Sequence, residues 1–172
     1  MATNLNTNGQ LPEGFVSPFT RVQVEDRNDD ALACVAILTG KPLADVKKTA
    51  VILGLPARGP IWVDDAMIAK LLFNLGNLHG TEYKEFTSIA ALPNVALLMV
   101  DYHERIDSGR LVVFHHVNAS EKQQSLSYVI DPADWIDPKH HVTTDFKHLN
   151  TKPAWYIEVT PRVTGSGKTK QS

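Results

Sequence analysis

A chain of 172 residues and 19.0 kDa, with 43% hydrophobic and 21% charged residues, is long enough to bury one substantial core and short for two. Its single cysteine, Cys34, excludes an internal disulfide and a cysteine zinc cluster, so any thiol chemistry rests on one sulfur. Lys plus Arg is 17 against 19 for Asp plus Glu, and the formal charge of -2 argues against a nucleic-acid surface.

The first 18 residues are rich in Asn, Thr, Gly and Pro without apolar periodicity, and they read as a flexible arm. Their polar start has no basic stretch followed by an apolar one, so no secretory signal is expected. Asn28-Asp29-Asp30 supplies helix N-cap residues, an apolar ALACVAIL follows, and Thr39-Gly40 stops it, which predicts a short buried helix. Pro42 to Leu53, ended by Gly54, predicts a second helix. In Val63 to Leu75 the apolar Met67, Ile68, Leu71, Leu72 and Leu75 recur at helical spacing, predicting a third helix ended by Gly76. The adjacent Asp64 and Asp65 at its start diverge around the helix axis, so they read as caps and not as a catalytic pair.

After Pro93 the pattern becomes β-rich: NVALLMVDY, RLVVFHHV, SLSYVID and AWYIEVT alternate with Gly, Asn, Ser and Pro clusters, as antiparallel strands do. Helices first and strands second predict an α+β domain over residues 19–160, its helices packed on an antiparallel sheet. The longest apolar run, Val95 to Val100, has six residues, far fewer than the ~20 that cross a bilayer. Residues 161–172 read as a flexible tail, and its GSGKT has neither the upstream glycine nor the following helix of a phosphate loop.

The stretch from Gln23 through Asn28-Asp29-Asp30-Ala-Leu-Ala-Cys34 to Gly40 resembles the opening of the double-glycine leader peptidases, bacteriocin-processing cysteine peptidases of the papain-like superfamily. Gly109-Arg110-Leu-Val-Val-Phe resembles their Gly-His-Phe/Trp-Val-Val, and Tyr128-Val-Ile-Asp131-Pro132 resembles a family strand ending in Asp-Pro. The three motifs keep their order and span roughly residues 20 to 135. The resemblance implies a papain-like fold and a cleft that receives an extended peptide. It matches the family's nucleophile to Asp30, its histidine to Arg110, its orienting carboxylate to Asp131 and its oxyanion glutamine to Gln23. Cys34 falls on the second, non-nucleophilic cysteine, one helical turn further on.

A carboxylate is a poor nucleophile towards a peptide bond, and a permanently charged guanidinium shuttles no proton, so peptidase chemistry is expected to be lost. What survives is the charge pattern, with Asp30 expected to form a salt bridge with Arg110 and Asp131 to hold the guanidinium's other side. The expected function is a peptidase-like domain without catalysis, used for peptide or protein binding or assembly. One alternative is an active cysteine peptidase using Cys34 with His115 or His116. Against it, Cys34 lies about 6 Å inside an apolar helix, His116 lies about 20 Å along the strand from Arg110, and His115 points to the opposite face. A second alternative is a structural component of a phage or other particle, assembled through the terminal arms.

Seven histidines, including the pairs His115-His116 and His140-His141, invite a metal reading, with Asp145 and His148 nearby, but no zinc spacing appears and no metal or cofactor is called for. Trp62 and Trp135 are candidate linings of a peptide groove, whereas Trp155 in a β-rich run reads as core. Neither nucleic acid nor membrane is expected as a partner. The expected location is cytoplasmic, or virion-associated for a phage-encoded chain.

Overall fold

The computed structural model describes residues 9–58 and 62–163. Helix α1, Asp30–Thr39, is apolar on every side, and all residues from Ala31 to Leu38 are buried. Such a helix needs cover all round, and α2, Leu43–Ile52, and α3, Asp65–Gly76, supply part of it. Asp29 is itself nearly buried but not orphaned: its carboxylate accepts the Asp26 N–H at 2.9 Å and pairs with Lys47 of α2 at 2.9 Å. Gly40, at φ 69°, closes α1 by donating its N–H to the Ala36 carbonyl.

Helix α3 begins as expected, with Asp64 accepting the Met67 N–H at 2.8 Å. Its end differs. Gly76 belongs to the helix and Asn77, at φ 50°, is the left-handed cap. The glycine serves packing instead, because a Cβ there would lie 2.8 Å from the Thr39 side chain at the end of α1.

The strands form one antiparallel sheet. β3, Val95–His103, is flanked by β4, Ser108–Val117, and β7, Trp155–Pro161. β4 continues to β5, Leu126–Ile130, and then β6, Val142–Thr143. On the other side β7 pairs with the short β1, Leu78–Gly80, and β2, Lys84–Glu85. Three-helix cover on an antiparallel sheet makes the chain an α+β protein.

One sheet face, with Leu97, Leu111, Val113, Tyr128, Ile130 and Ile157, meets the helices in the main core. The other face is also buried: Ala96, Leu98, Val112, Phe114 and Val129 build a second core with Leu149, under the loop residues Phe86, Leu92 and Phe146. Burial on both faces is why β3 and the middle of β4 read as continuous apolar runs without polar alternation. No helix among the described residues is long and apolar enough to cross a membrane.

The expected arm spans residues 1–18, of which 1–8 lie outside the described residues, as do 164–172 with the GSGKT stretch. Within residues 9–18, the Gly9 carbonyl accepts from Thr143 Oγ1 and the Thr144 N–H, both at 2.9 Å. Leu11 and Phe15 pack on the main core, and the Phe15 ring lies edge-on to Tyr128 at 5.6 Å.

β3 and β4 lose their regular pairing between Val100 and His103, and Gly109 sits at this irregularity. A Cβ on Gly109 would lie 2.4 Å from the Val100 carbonyl oxygen, a backbone atom unable to swing away. Gly109→Ala is therefore expected to lower unfolding stability by about 1–3 kcal/mol, measured as a fall in the urea midpoint.

Candidate functional site

The N-terminus of α1 meets the start of β4 beside an open cavity of about 390 Å³. Asp30, Asp101 and Arg110 line it with Trp62, Tyr83 and Trp135, while Asp131 lies fully buried behind Arg110. Hence three of the positions that the motifs single out from distant parts of the chain, Asp30, Arg110 and Asp131, meet at one place.

Their bonding differs from the expected pattern. Arg110, only 14% exposed in its side chain, donates from Nε to Asp101 Oδ2 at 2.6 Å and from Nη1 to Asp131 Oδ2. Asp131 thus holds the guanidinium as expected, but the second carboxylate is Asp101, and there is no Asp30–Arg110 ion pair. Two local facts explain this correction. The Asp30 Oδ2 is taken by the Leu111 N–H at 2.8 Å. Asp101 adopts φ 53° where β3 leaves regular pairing, and its Oδ1 accepts the Asn150 N–H at 2.8 Å.

The two carboxylates hold Arg110 in its charged form. Burial opposes that charge, but the bonds to Asp131 and then Asp101 outweigh it and raise the pKa above the ordinary arginine value. Asp131 completes its own bonding by accepting the Ala133 N–H on Oδ1 at 3.0 Å. Arg21 braces this turn, donating from Nε to the Asp131 carbonyl at 2.6 Å and from Nη2 to the Ala133 carbonyl at 2.7 Å.

For Asp30, burial pushes the carboxyl pKa up, opposed by the N–H groups of Leu111, Asp30 and Ala31 and by the Arg110 charge. The arrangement presents fixed charge and hydrogen-bonding groups to the cavity.

The remaining candidates lie apart. Gln23 is exposed, outside the cavity lining, and its side-chain oxygen accepts from Arg21 Nη1 at 3.1 Å. The oxyanion role that the resemblance assigned to it therefore has no counterpart in the cavity. Cys34 is fully buried, with its thiol donating to the Leu111 carbonyl at 3.4 Å. Burial, followed by the charges of Asp30 and Asp131, pushes that thiol well above its usual pKa. The structure does not bring Cys34 and the β4 histidines together: His115 Nδ1 pairs with Tyr128 Oη at 2.8 Å, and His116 Nδ1 with Ser127 Oγ at 2.7 Å.

His140 and His148 stack as parallel rings 3.9 Å apart, and both nitrogens of His148 are buried without a hydrogen-bond partner. Among the described residues no three His, Cys, Asp or Glu side chains converge in a way that holds a metal.

Trp62 and Trp135 both line the cavity and stay exposed, at 67% and 44%. Trp155 is half-buried in β7, its ring edge-on to Tyr102 at 5.0 Å. Among the cavity residues that escape a reading of the sequence are Asp101, Tyr83, Ile106 and Arg27, whose guanidinium sits 5.5 Å from the Trp135 ring centroid. Only Asp101 left a signal, as a carboxylate closing the apolar run of β3. No protein-family model matches the chain, and no curated protein matches it either.

Two outcomes follow from these environments. A thiol-alkylating reagent is expected to leave Cys34 unlabelled in the native protein from pH 7 to pH 9 and to label it once urea unfolds the chain, as read by mass spectrometry. A folded-state pKa above the unfolded value means that Asp30 favours folding when protonated and loses that contribution as pH rises through the folded pKa. Asp30→Asn, which keeps an acceptor for the Leu111 N–H, should accordingly be at least as stable as the parent at pH 7. Its relative advantage should disappear as pH falls towards ~4, the ordinary Asp range, measured by urea unfolding at each pH.

Proposed function

We propose that this chain is a peptidase-like domain of the double-glycine leader-peptidase type that has exchanged catalysis for binding, and that its cavity receives an extended polypeptide segment. The observation that carries the reading is the meeting of Asp30, Arg110 and Asp131 at the floor of one cavity, Asp131 lying buried behind Arg110. These are the three positions that the sequence motifs match to a nucleophile, a histidine and an orienting carboxylate. A buried helix whose N-terminus abuts the first residues of a central strand is the arrangement such a site requires.

The loss of chemistry follows from the residues themselves. Asp30 is engaged by backbone N–H groups, and Arg110, clamped by two carboxylates, takes up or releases no proton near neutrality. Binding capacity remains in the exposed apolar surface at the mouth, where Trp62 and Trp135 are joined by Ile106, 61% exposed.

The test is selection of a random heptapeptide library on the purified full chain, followed by calorimetry on the winning sequences. Peptides that bind the parent and lose about tenfold or more in affinity to Trp62→Ala and Trp135→Ala, with unchanged circular dichroism, support the reading. Selected peptides whose affinity ignores both substitutions, or no selection at all, defeat it.

A further inference from the structure

The floor of the cavity carries an excess of negative charge. Asp30, Asp101 and Asp131 set three carboxylates against the single guanidinium of Arg110, which is committed to the latter two. Asp30 is left with backbone N–H partners and no ion pair. Tyr83, which also lines the cavity, adds no positive charge: burial, followed by Asp30 and Asp65, pushes its phenol up and keeps it a neutral hydroxyl.

The walls have a matching preference. Trp62 and Trp135 offer exposed indole faces, and such faces attract cations. One of them already holds a cation, the Arg27 guanidinium 5.5 Å from the Trp135 centroid, in the mouth of the same cavity. Apolar walls suit the methylene stem of a long basic side chain, and a carboxylate floor suits its head. An acidic side chain would meet the opposite field, with Arg27 the one cation among the described lining residues that no carboxylate pairs.

We infer that the occupant of this cavity is a peptide segment presenting a lysine or arginine side chain, whose stem lies between Trp62 and Trp135 and whose charged head faces Asp30, and that Arg27 holds the place of that cation until the segment arrives. The inference rests on the binding reading above and adds the chemistry of the segment. It makes Asp30 a specificity residue and Arg27 an internal competitor.

The experiment is calorimetric titration of the full chain with three acetylated, amidated pentapeptides, Ala-Ala-X-Ala-Ala, with lysine, norleucine or glutamate at X. Lysine is expected to bind at least about tenfold tighter than norleucine, with glutamate weakest and the lysine advantage shrinking as salt rises. Asp30→Asn should reduce the lysine-to-norleucine ratio several-fold, and Arg27→Ala should raise the lysine affinity. Equal binding of lysine and norleucine, or a preference for glutamate, overturns the inference and leaves peptide binding standing. Binding of none of the three overturns both. Since Arg27 is exposed and removing it disturbs no core contact, unchanged or weaker lysine binding by Arg27→Ala overturns the place-holding role independently of Asp30→Asn.

Discussion

The guanidinium of Arg110 ties together three pieces of chain that arrive separately. It stands at the start of β4, one of its carboxylates ends the regular part of β3, and the other begins the turn after β5. Each partner is itself fastened to backbone, Asp101 to Asn150 and Asp131 to Ala133. A charge this deeply buried is tolerable only with partners so placed, because removing one member of a buried pair typically costs about 3–5 kcal/mol. The cluster therefore holds the floor of the cavity by joining β3, β4 and the turn after β5. Stability gained over an apolar replacement is a separate matter, since desolvation consumes most of the attraction.

Around this cluster the functional groups divide by depth. Arg110 and Asp131 are scaffold, with their bonding capacity turned inward. Asp30 is intermediate: its position comes from the Leu111 N–H, yet no cation neutralises it at contact distance. Trp62, Ile106 and Trp135 are turned outward and bind little of the protein itself. The proposed binding role draws on this division, with the polar floor setting selectivity and the exposed aromatic mouth supplying contact area.

Much of the fold was legible because its strongest signals are local. An eight-residue apolar run between an aspartate pair and a glycine has few outcomes besides a buried helix, and α1 is one. The four long strands announced themselves by composition. β1, β2 and β6, two or three residues each, are too short to carry any periodicity and exist only because β7 and β5 present unpaired edges to them. In the site, the meeting of residues 30, 110 and 131 was an expectation drawn from the resemblance of three motifs, and the folded chain brings the three together. The choice of Asp101 over Asp30 as the partner of Arg110 was not legible, since it depends on a left-handed residue at a strand irregularity and on which backbone N–H reaches Asp30 first. The depth of Cys34 was readable from helix geometry alone, and the three-dimensional packing places it against the carbonyl of the residue next to Arg110.

The Gly9 carbonyl, bonded to Thr143 and Thr144, has a bearing on how copies of this protein behave towards one another. β6 ends the sheet on that side, and an open terminal strand invites a second chain to add its own strand and start a stack. Here the protein's own N-terminal segment occupies that position, held to the body by Phe15 on Tyr128 and by the pairing of the Ser17 and Tyr128 hydroxyls. On this rim the Thr144 N–H is taken up by the chain's own Gly9 carbonyl, so the end of the segment that reads as a polar arm is fastened to the body of the protein.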